Sequence, residues 1–600
     1  MASIPVWMPT PTNKTHNDNA LCSIPLPAGA RLLHLECLTM RGDDEAILFK
    51  RASGRYYTGE IVGRRLASEV AQALHTASPR ARKISAADPF GGDGRLIVWL
   101  MDAWAELSLP KVKWDVTLWD VNDVGFDEAE ARLNEASGRN KQSLSINLHV
   151  GDAFSKALEA REQFDVVITN PPWELLKPDR RELEVLGATS RKQYIAKMRS
   201  YDDWLSGHFP LSQPRRKFAG WGTNLSRVGM EAALSITREG GIIGVVLPAS
   251  FLADDQTARL REHLLTEHTV LSASYYPAEA KLYESADTAS VAMALMAGGP
   301  PAQSLTIATH SLVTGELESS VIALEMEALS KVGFVLPISF GSKALAIINE
   351  LAQRFPSWRD LETSMANGLW AGRELDETRI SEFLQSATHS EPLFIKGRMI
   401  GRYATLERPQ LAVRKPNWVP PSSTQARRIA WRDVSRPSQK RRMIATLLDR
   451  GQVAGNSLGV AYFKDHAETP LLALLGVMNS TCFEFQLRAH LATGHVSLSS
   501  LRKVAVPSAQ QLREANALAS LVKTAIEASD SDAIRVDAYV ARFIYAITED
   551  EYKIILDGFD TMSPELRHAH ITCYRALTTE PLPHPAASSE IFNTSMAYAL

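Results

Sequence analysis

The sequence predicts a doubly wound α/β domain, followed by an α+β region and a helical C-terminal region. Three observations lead there. Between residues 83 and 298 short β-rich runs alternate with helical stretches. Most of these runs are continuously apolar, as expected of strands buried on both faces. The ends of the first four runs carry Asp, Gly, Asn and Pro, where an α/β sheet places its ligands.

Size fits this division. A chain of 600 residues exceeds what one hydrophobic core supports, so two to four domains are expected. Hydrophobic residues make up 45% and charged residues 22%, the balance of a folded soluble protein. No apolar run is long enough to span a bilayer. The start, MASIPVWMPTPTNKTHNDNA, lacks the basic and apolar stretches of a signal peptide and reads as a polar leader. Cys22, Cys37, Cys482 and Cys573 are widely separated and form no CxxC pair, which argues against a disulfide framework or a zinc finger and suits a reducing cytoplasm. His568, His570 and Cys573 lie close together, but a helix surface accounts for them and no metal is expected. A net charge of −3 leaves nucleic-acid binding to local patches.

The predicted strands are Lys83–Asp88, Trp114–Asp120, Leu144–Asp152, Phe164–Thr169, Gly241–Pro248, Thr269–Tyr276 and Ala289–Met296. Helical stretches such as Gly229–Arg238 and Thr257–Leu265 supply the crossovers. The first strand runs into Asp88-Pro89-Phe90-Gly91-Gly92-Asp93-Gly94-Arg95, where glycines permit a tight turn and a close ligand approach at a helix N-terminus. The second ends at Asp120, placed to accept hydrogen bonds from ribose hydroxyls. The third ends at Gly151-Asp152-Ala153-Phe154. Any one of these acids could be a turn or cap residue; three at successive strand ends point to a nucleotide-like ligand.

The fourth strand is the most specific. It runs directly into Asn170-Pro171-Pro172-Trp173. Two prolines hold the backbone extended and have no N–H of their own. The Asn170 side-chain oxygen and the Pro171 carbonyl can then accept from one planar –NH2 group, and Trp173 offers a flat face for stacking. The combination suits an amine-bearing aromatic ring.

These four segments resemble the cofactor and catalytic motifs of adenine-specific (N6) DNA methyltransferases of restriction–modification type. Their order resembles the gamma class, in which the target-recognition region comes last. Gly54-Arg55-Tyr56-Tyr57-Thr58-Gly59 resembles the family's segment before the first strand, usually Tyr-Tyr-Thr-Pro, with Gly59 in place of the proline. Gly240–Pro248 and Arg261–Leu264 resemble the fifth strand and the following helix.

The resemblance implies a Rossmann-like class I methyltransferase domain with S-adenosylmethionine as cofactor. It implies cofactor contacts from Tyr57, Thr58, Asp88, Pro89, Gly92, Gly94, Asp120, Asp152, Ala153 and Asn170, with Asp152 pairing with the cofactor's adenine amine. Asn170, Pro171, Pro172 and Trp173 become catalytic. Tyr283 takes the place of the aromatic that stacks on an extruded base, with Tyr275 and Tyr276 as rivals. Such an enzyme flips its adenine out of the duplex.

The segment Phe394–Arg450 is rich in arginine and lysine, with Trp418 and Trp431 and several prolines (Pro416, Pro420, Pro421, Pro437) interleaved. Such a patch suits phosphate contacts, for which Arg414, Lys415, Arg427, Arg428, Lys440, Arg441 and Arg442 are the candidates. Arg436 belongs to the same run. The segments 441–446, 455–458, 475–480 and 504–507 resemble target-recognition domains. The expected organisation is an N-terminal extension (1–53), a catalytic domain (54–310), a connecting region (311–385), a target-recognition domain (386–510) and a helical region (511–600). Double-stranded DNA is the expected partner, in the bacterial cytoplasm, and both a solitary enzyme and one with a separate restriction or defence subunit fit. The competing readings are an RNA or protein-glutamine methyltransferase and a non-catalytic specificity subunit. The first leaves the second half unexplained; the second predicts a damaged catalytic motif, whereas this one is intact.

Overall fold

The structure, a computed structural model, describes residues 57–577 apart from 179–187, 215–220, 284–287, 314–315, 339–340, 364–367, 388–391, 416, 436–438, 492–493, 528–529 and 560. The N-terminal extension, Cys22, Cys37, Gly54 to Tyr56, Glu284, Pro416, Arg436 and Pro437 lie outside the described residues.

A nine-stranded sheet forms the first half. Its strands are β1 (Lys83–Asp88), β2 (Lys113–Asp120), β3 (Ser143–Val150), β4 (Phe164–Thr169), β5 (Thr237–Pro248), β6 (Thr269–Tyr276), β7 (Ser290–Met296), β8 (Ser304–Val313) and β9 (Glu316–Glu325). They lie in the order β3-β2-β1-β4-β5-β7-β6-β8-β9. The five strands from β3 to β5 are parallel and β7 runs antiparallel to both neighbours. This is the expected doubly wound α/β fold. The chain winds outward in one direction from β1 and in the other from β4, so the switch point falls between their carboxyl ends, where such sheets open a crevice.

Alternation along the central strands explains their continuous apolarity. Val166 and Ile168 of β4 and Ile242 and Val246 of β5 enter one core. Val167, Ile243, Val245 and Leu247 enter the other. The first core is covered by α1 (Glu60–Ala77), α2 (Arg95–Glu106) and α3 (Phe126–Asn140). On α1 the buried Val62, Leu66, Val70 and Leu74 recur every four residues and form one stripe. The second core is covered by α4 (Ala153–Glu159), α5 (Ala188–His208), α6 (Leu225–Ile236) and α7 (Ala258–Glu267).

The sheet reaches further than the expected boundary at 310. The hairpin β8–β9 adds to β6 and carries it to Glu325. His310 of β8 fastens it: Nδ1 donates to the Tyr275 carbonyl (2.9 Å), which leaves Nε2 to accept from Arg65 of α1 (3.1 Å). Burial correspondingly lowers the pKa of His310, in keeping with a neutral ring.

The second half contains two four-stranded sheets. One joins β10 (Leu369–Gly372), β14 (Arg428–Arg432), β15 (Ala445–Leu448) and β17 (Leu458–Phe463) in the order β10-β17-β14-β15. The other joins β11 (Leu384–Ser386), β12 (Leu393–Ile395), β13 (Leu411–Val413) and β16 (Val453–Ala454) in the order β11-β13-β12-β16. Strands β10 and β11 come from the stretch expected to be a connection. Helices follow from Glu468 to Ala576 and include the predicted C-terminal ones. Their core is continuous with the α4–α7 side of the nine-stranded sheet.

Candidate active site

The glycine turn after β1 is built by two left-handed residues, Gly92 (φ 51°) and Gly94 (φ 72°). A side chain at Gly92 would stand 3.2 Å from the Tyr57 ring, and one at Gly125 would stand 2.5 Å from the Gly92 carbonyl. The backbone is therefore folded tightly, with Tyr57 laid across it. Tyr57, Thr58, Asp88, Gly92, Asp120 and Asn170 line one pocket, together with Phe90, Gly91, Asp93, Arg95, Leu96, Val121 and Pro172. Six of the ten residues expected around the cofactor thus border one space.

Asp88 and Asn170 meet across the switch point. Thr169 Oγ1, next to Asn170, donates to Asp88 Oδ1 at 2.6 Å, and the Phe90 N–H donates to the same oxygen at 3.0 Å. Both donors are neutral and the carboxyl is buried, so burial pushes its pKa up to about 7. Asn170 Nδ2 donates to Thr58 Oγ1 at 3.1 Å, which fixes the amide with its nitrogen edge toward α1 and its oxygen edge away. Helix α6 packs closely behind the motif: a side chain at Gly229 would stand 2.3 Å from Pro171 Cβ. Beyond the motif the chain is pinned by Leu225 N–H to the Glu174 carbonyl (2.8 Å) and Leu176 N–H to the Thr223 carbonyl (2.9 Å).

Trp173 and Tyr283 lie outside the pocket and contact each other edge to face, with ring centroids 4.9 Å apart. The Tyr283 hydroxyl donates to Ser290 Oγ at 2.7 Å. The rivals are strand aromatics: Tyr276 stacks on His310 at 4.4 Å, and Tyr275 is buried in the opposite core. Gly59 also finds its reason here. A side chain on it would stand 2.1 Å from the Leu282 carbonyl, so the residue beside Thr58 must be small where the Tyr283 segment crosses.

Four expected cofactor residues do not line the pocket. Asp152 caps α4, accepting from the N–H groups of Phe154 and Ser155 (3.3 Å each), from Ser155 Oγ (2.7 Å) and from the Tyr201 hydroxyl (3.0 Å). Ala153 follows it in the helix. Pro89 and Gly94 shape the turn without bordering the space. The sequence reading omitted Arg95 and Arg132, which share the buried Asp93. The Asp93–Arg95 spacing within the turn was a usable signal, but Arg132 lies 39 positions from Asp93 and gave none.

The arginine-rich segment departs most from expectation. Arg428 is fully buried and forked onto Glu374 through Nε (2.6 Å) and Nη2 (2.9 Å). Arg441 joins Glu484 (2.7 Å) and Asp537 (3.4 Å). Arg442 is 4% exposed and donates to the Ser435 carbonyl. These three are interior groups, each bonded to partners within the fold. Arg414, Lys415 and Lys440 are exposed, and half-buried Arg427 pairs with Glu468 at 2.8 Å. His570 is likewise interior, against the Tyr552 hydroxyl. Among the described residues no cluster of three metal-ligating side chains occurs, and no helix is long and apolar enough to cross a membrane.

Residues 108–283 match the family model of the Eco57I restriction-modification methylase. The match bears out the resemblance at the level of a restriction–modification methyltransferase. It spans Asp120, Asp152, the Asn170–Trp173 motif and Tyr283, and begins after the glycine turn. No curated protein matches the chain. Among solved structures, the methyltransferase subunit of a type I restriction-modification system from Streptococcus thermophilus aligns at 12% identity with a TM-score of 0.33, over 49% of this chain and 62% of that one. The type IIG restriction endonuclease BpuSI aligns at 12% identity with a TM-score of 0.36, over 88% and 67%. The DrdV–DNA complex aligns at 9% identity with a TM-score of 0.45, over 81% and 60%. The chain thus spans about two thirds of the length of these structures or less.

Proposed function

We propose that this chain, whose residues 108–283 match a restriction–modification methylase, methylates the N6 amine of adenine flipped out of double-stranded DNA in the bacterial cytoplasm. The observation that carries the reading is that Asn170, at the end of β4, borders the same pocket as Asp88, Asp120 and the glycine turn. A target amine held by Asn170 would therefore lie beside whatever that pocket binds.

The pocket suits S-adenosylmethionine. Asp120 stands at a strand end where such sheets bind a ribose diol, and the glycine turn leaves room that a side chain would fill. When bound, this cofactor supplies an activated methyl group. The chain's own residues do the rest. Asn170 Oδ1 and the Pro171 carbonyl accept the two amine hydrogens, which draws the nitrogen lone pair out of conjugation and aims it in line. Trp173 and Tyr283, in contact here, would part to take the base between them. Rate enhancement comes from positioning and fixed dipoles. Asp152 is left out, since its oxygens serve the α4 cap and Tyr201.

The test is direct. Full-length protein is incubated with methyl-labelled S-adenosylmethionine and duplex DNA of mixed sequence, and the DNA is digested to nucleosides. Label on N6-methyladenine is expected; label on cytosine, or on RNA or protein with none on DNA, overturns the substrate.

A further inference from the structure

We infer that Arg95 is a positioning residue that ties the cofactor turn to the Asn170 amide; the inference rests on the methyltransferase reading above. Arg95 opens α2 directly after the left-handed Gly94. Its Nε and Nη2 grip Asp93 at 3.0 and 2.7 Å, and Arg132 of α3 holds the same carboxylate at 2.5 Å. Asp93 is 2% exposed, so this is an anchored clamp and not a loose surface pair.

The clamped guanidinium does two further things. It lies over the Tyr57 ring, 4.3 Å from its centroid, and its Nη1 donates to the Thr58 carbonyl at 3.3 Å. Tyr57 covers Gly92 of the cofactor turn, and the Thr58 hydroxyl accepts from Asn170 Nδ2. An unbroken run of contacts therefore leads from Arg132 through Asp93, Arg95 and Thr58 to Asn170. Only a planar fork can chelate a carboxylate, donate to a carbonyl and stack on a ring at once; a lysine in its place keeps the charge but loses the fork and the stack. Arg95 sets the wall of the cofactor pocket through Tyr57 and the orientation of the catalytic amide through Thr58.

Arg95→Ala, Arg95→Lys, Thr58→Val and Thr58→Ser are made in the full-length chain. S-adenosylmethionine affinity is measured by calorimetry, and single-turnover methyl transfer to DNA at saturating cofactor. Arg95→Ala should weaken cofactor binding and slow transfer by about tenfold each, the scale of one lost charge-assisted contact. Arg95→Lys should fall between it and wild type. Thr58→Val should slow transfer at saturating cofactor about tenfold, Thr58→Ser should restore it, and the rate losses of Arg95→Ala and Thr58→Val should fall short of additive when combined. If Arg95→Ala unfolds, Arg95→Lys decides by the same readings. Wild-type affinity and rate in a folded Arg95 variant, or strictly additive losses, overturn the inference. A wild-type protein that binds the cofactor but methylates no DNA overturns the substrate reading instead, and the binding measurements still decide the role of Arg95.

Discussion

Asp88 and Arg428 are both buried charged residues, and they end in opposite electrostatic states. Asp88 borders a pocket, receives hydrogen bonds from the neutral Thr169 hydroxyl and Phe90 N–H, and has its pKa pushed up to about 7. Arg428 sits in the fork of Glu374, both side chains wholly inside the protein, with Ser423 Oγ and the Ala454 N–H completing the carboxylate's partners. The same contrast separates the two regions as wholes. At the carboxyl edge of the parallel strands, polar groups are arranged around a space. In the arginine-rich segment, much of the charge is neutralised by partners within the fold and holds sheets and helices together. Density of charge along a chain thus says little about what the charge serves; its partners decide.

The largest expected effect strikes the neutralised side. Glu374→Ala leaves Arg428 buried without its counter-charge and should cost about 3–5 kcal/mol in denaturant unfolding. Replacing both residues with apolar ones should cost much less. A single-variant loss within experimental error would mean that the pair is not buried as described.

The second effect strikes the pocket side through pH. The folded pKa of Asp88 lies above its ordinary value of 3.8, so its protonated form is the one that favours folding. That contribution is complete below about pH 4 and is lost as pH rises through about 7. Asp88→Asn cannot ionise and should lack this loss. Its melting temperature relative to wild type should climb between pH 4 and 7 and level off above. Parallel pH profiles would show that Asp88 stays ionised in the fold.

The smallest effect separates exposed from interior cations. Lys415→Ala should lower the salt slope of DNA binding by about one unit if Lys415 contacts a phosphate. Arg442→Ala should reduce stability and leave the slope unchanged, since that side chain is 4% exposed and bonded to the Ser435 carbonyl. Equal slopes for Lys415→Ala and wild type would remove Lys415 from the proposed DNA contacts.

What could be read in the sequence follows the same line. The strand ends were legible because their information is local: β4 passes into Asn170-Pro171-Pro172-Trp173 without a break, and the switch point then brings it to Asp88. The β8–β9 hairpin was not, because it is secured by His310 bonding to residues 35 and 245 positions away. Arg428 and Glu374 are separated by 54 positions, and Arg441 and Asp537 by 96, so composition alone presented interior ion pairs as a basic surface. Asp152 shows a subtler limit: an acid at a strand end can also serve as a helix cap, and the hydrogen bonds it accepts from Phe154, Ser155 and Tyr201 show that this one does. The glycine at position 59 became intelligible only once the Leu282 carbonyl was seen against it.

The most direct test of the central claim compares full-length wild type with Asn170→Ala in single-turnover methyl transfer to adenine in duplex DNA, with cofactor affinity measured in parallel. Transfer should fall by at least about 100-fold, the scale of a lost preorganised contact in a transition state, while cofactor binding through Asp88, Asp120 and the glycine turn largely persists. A variant that methylates adenine at close to the wild-type rate would contradict the account.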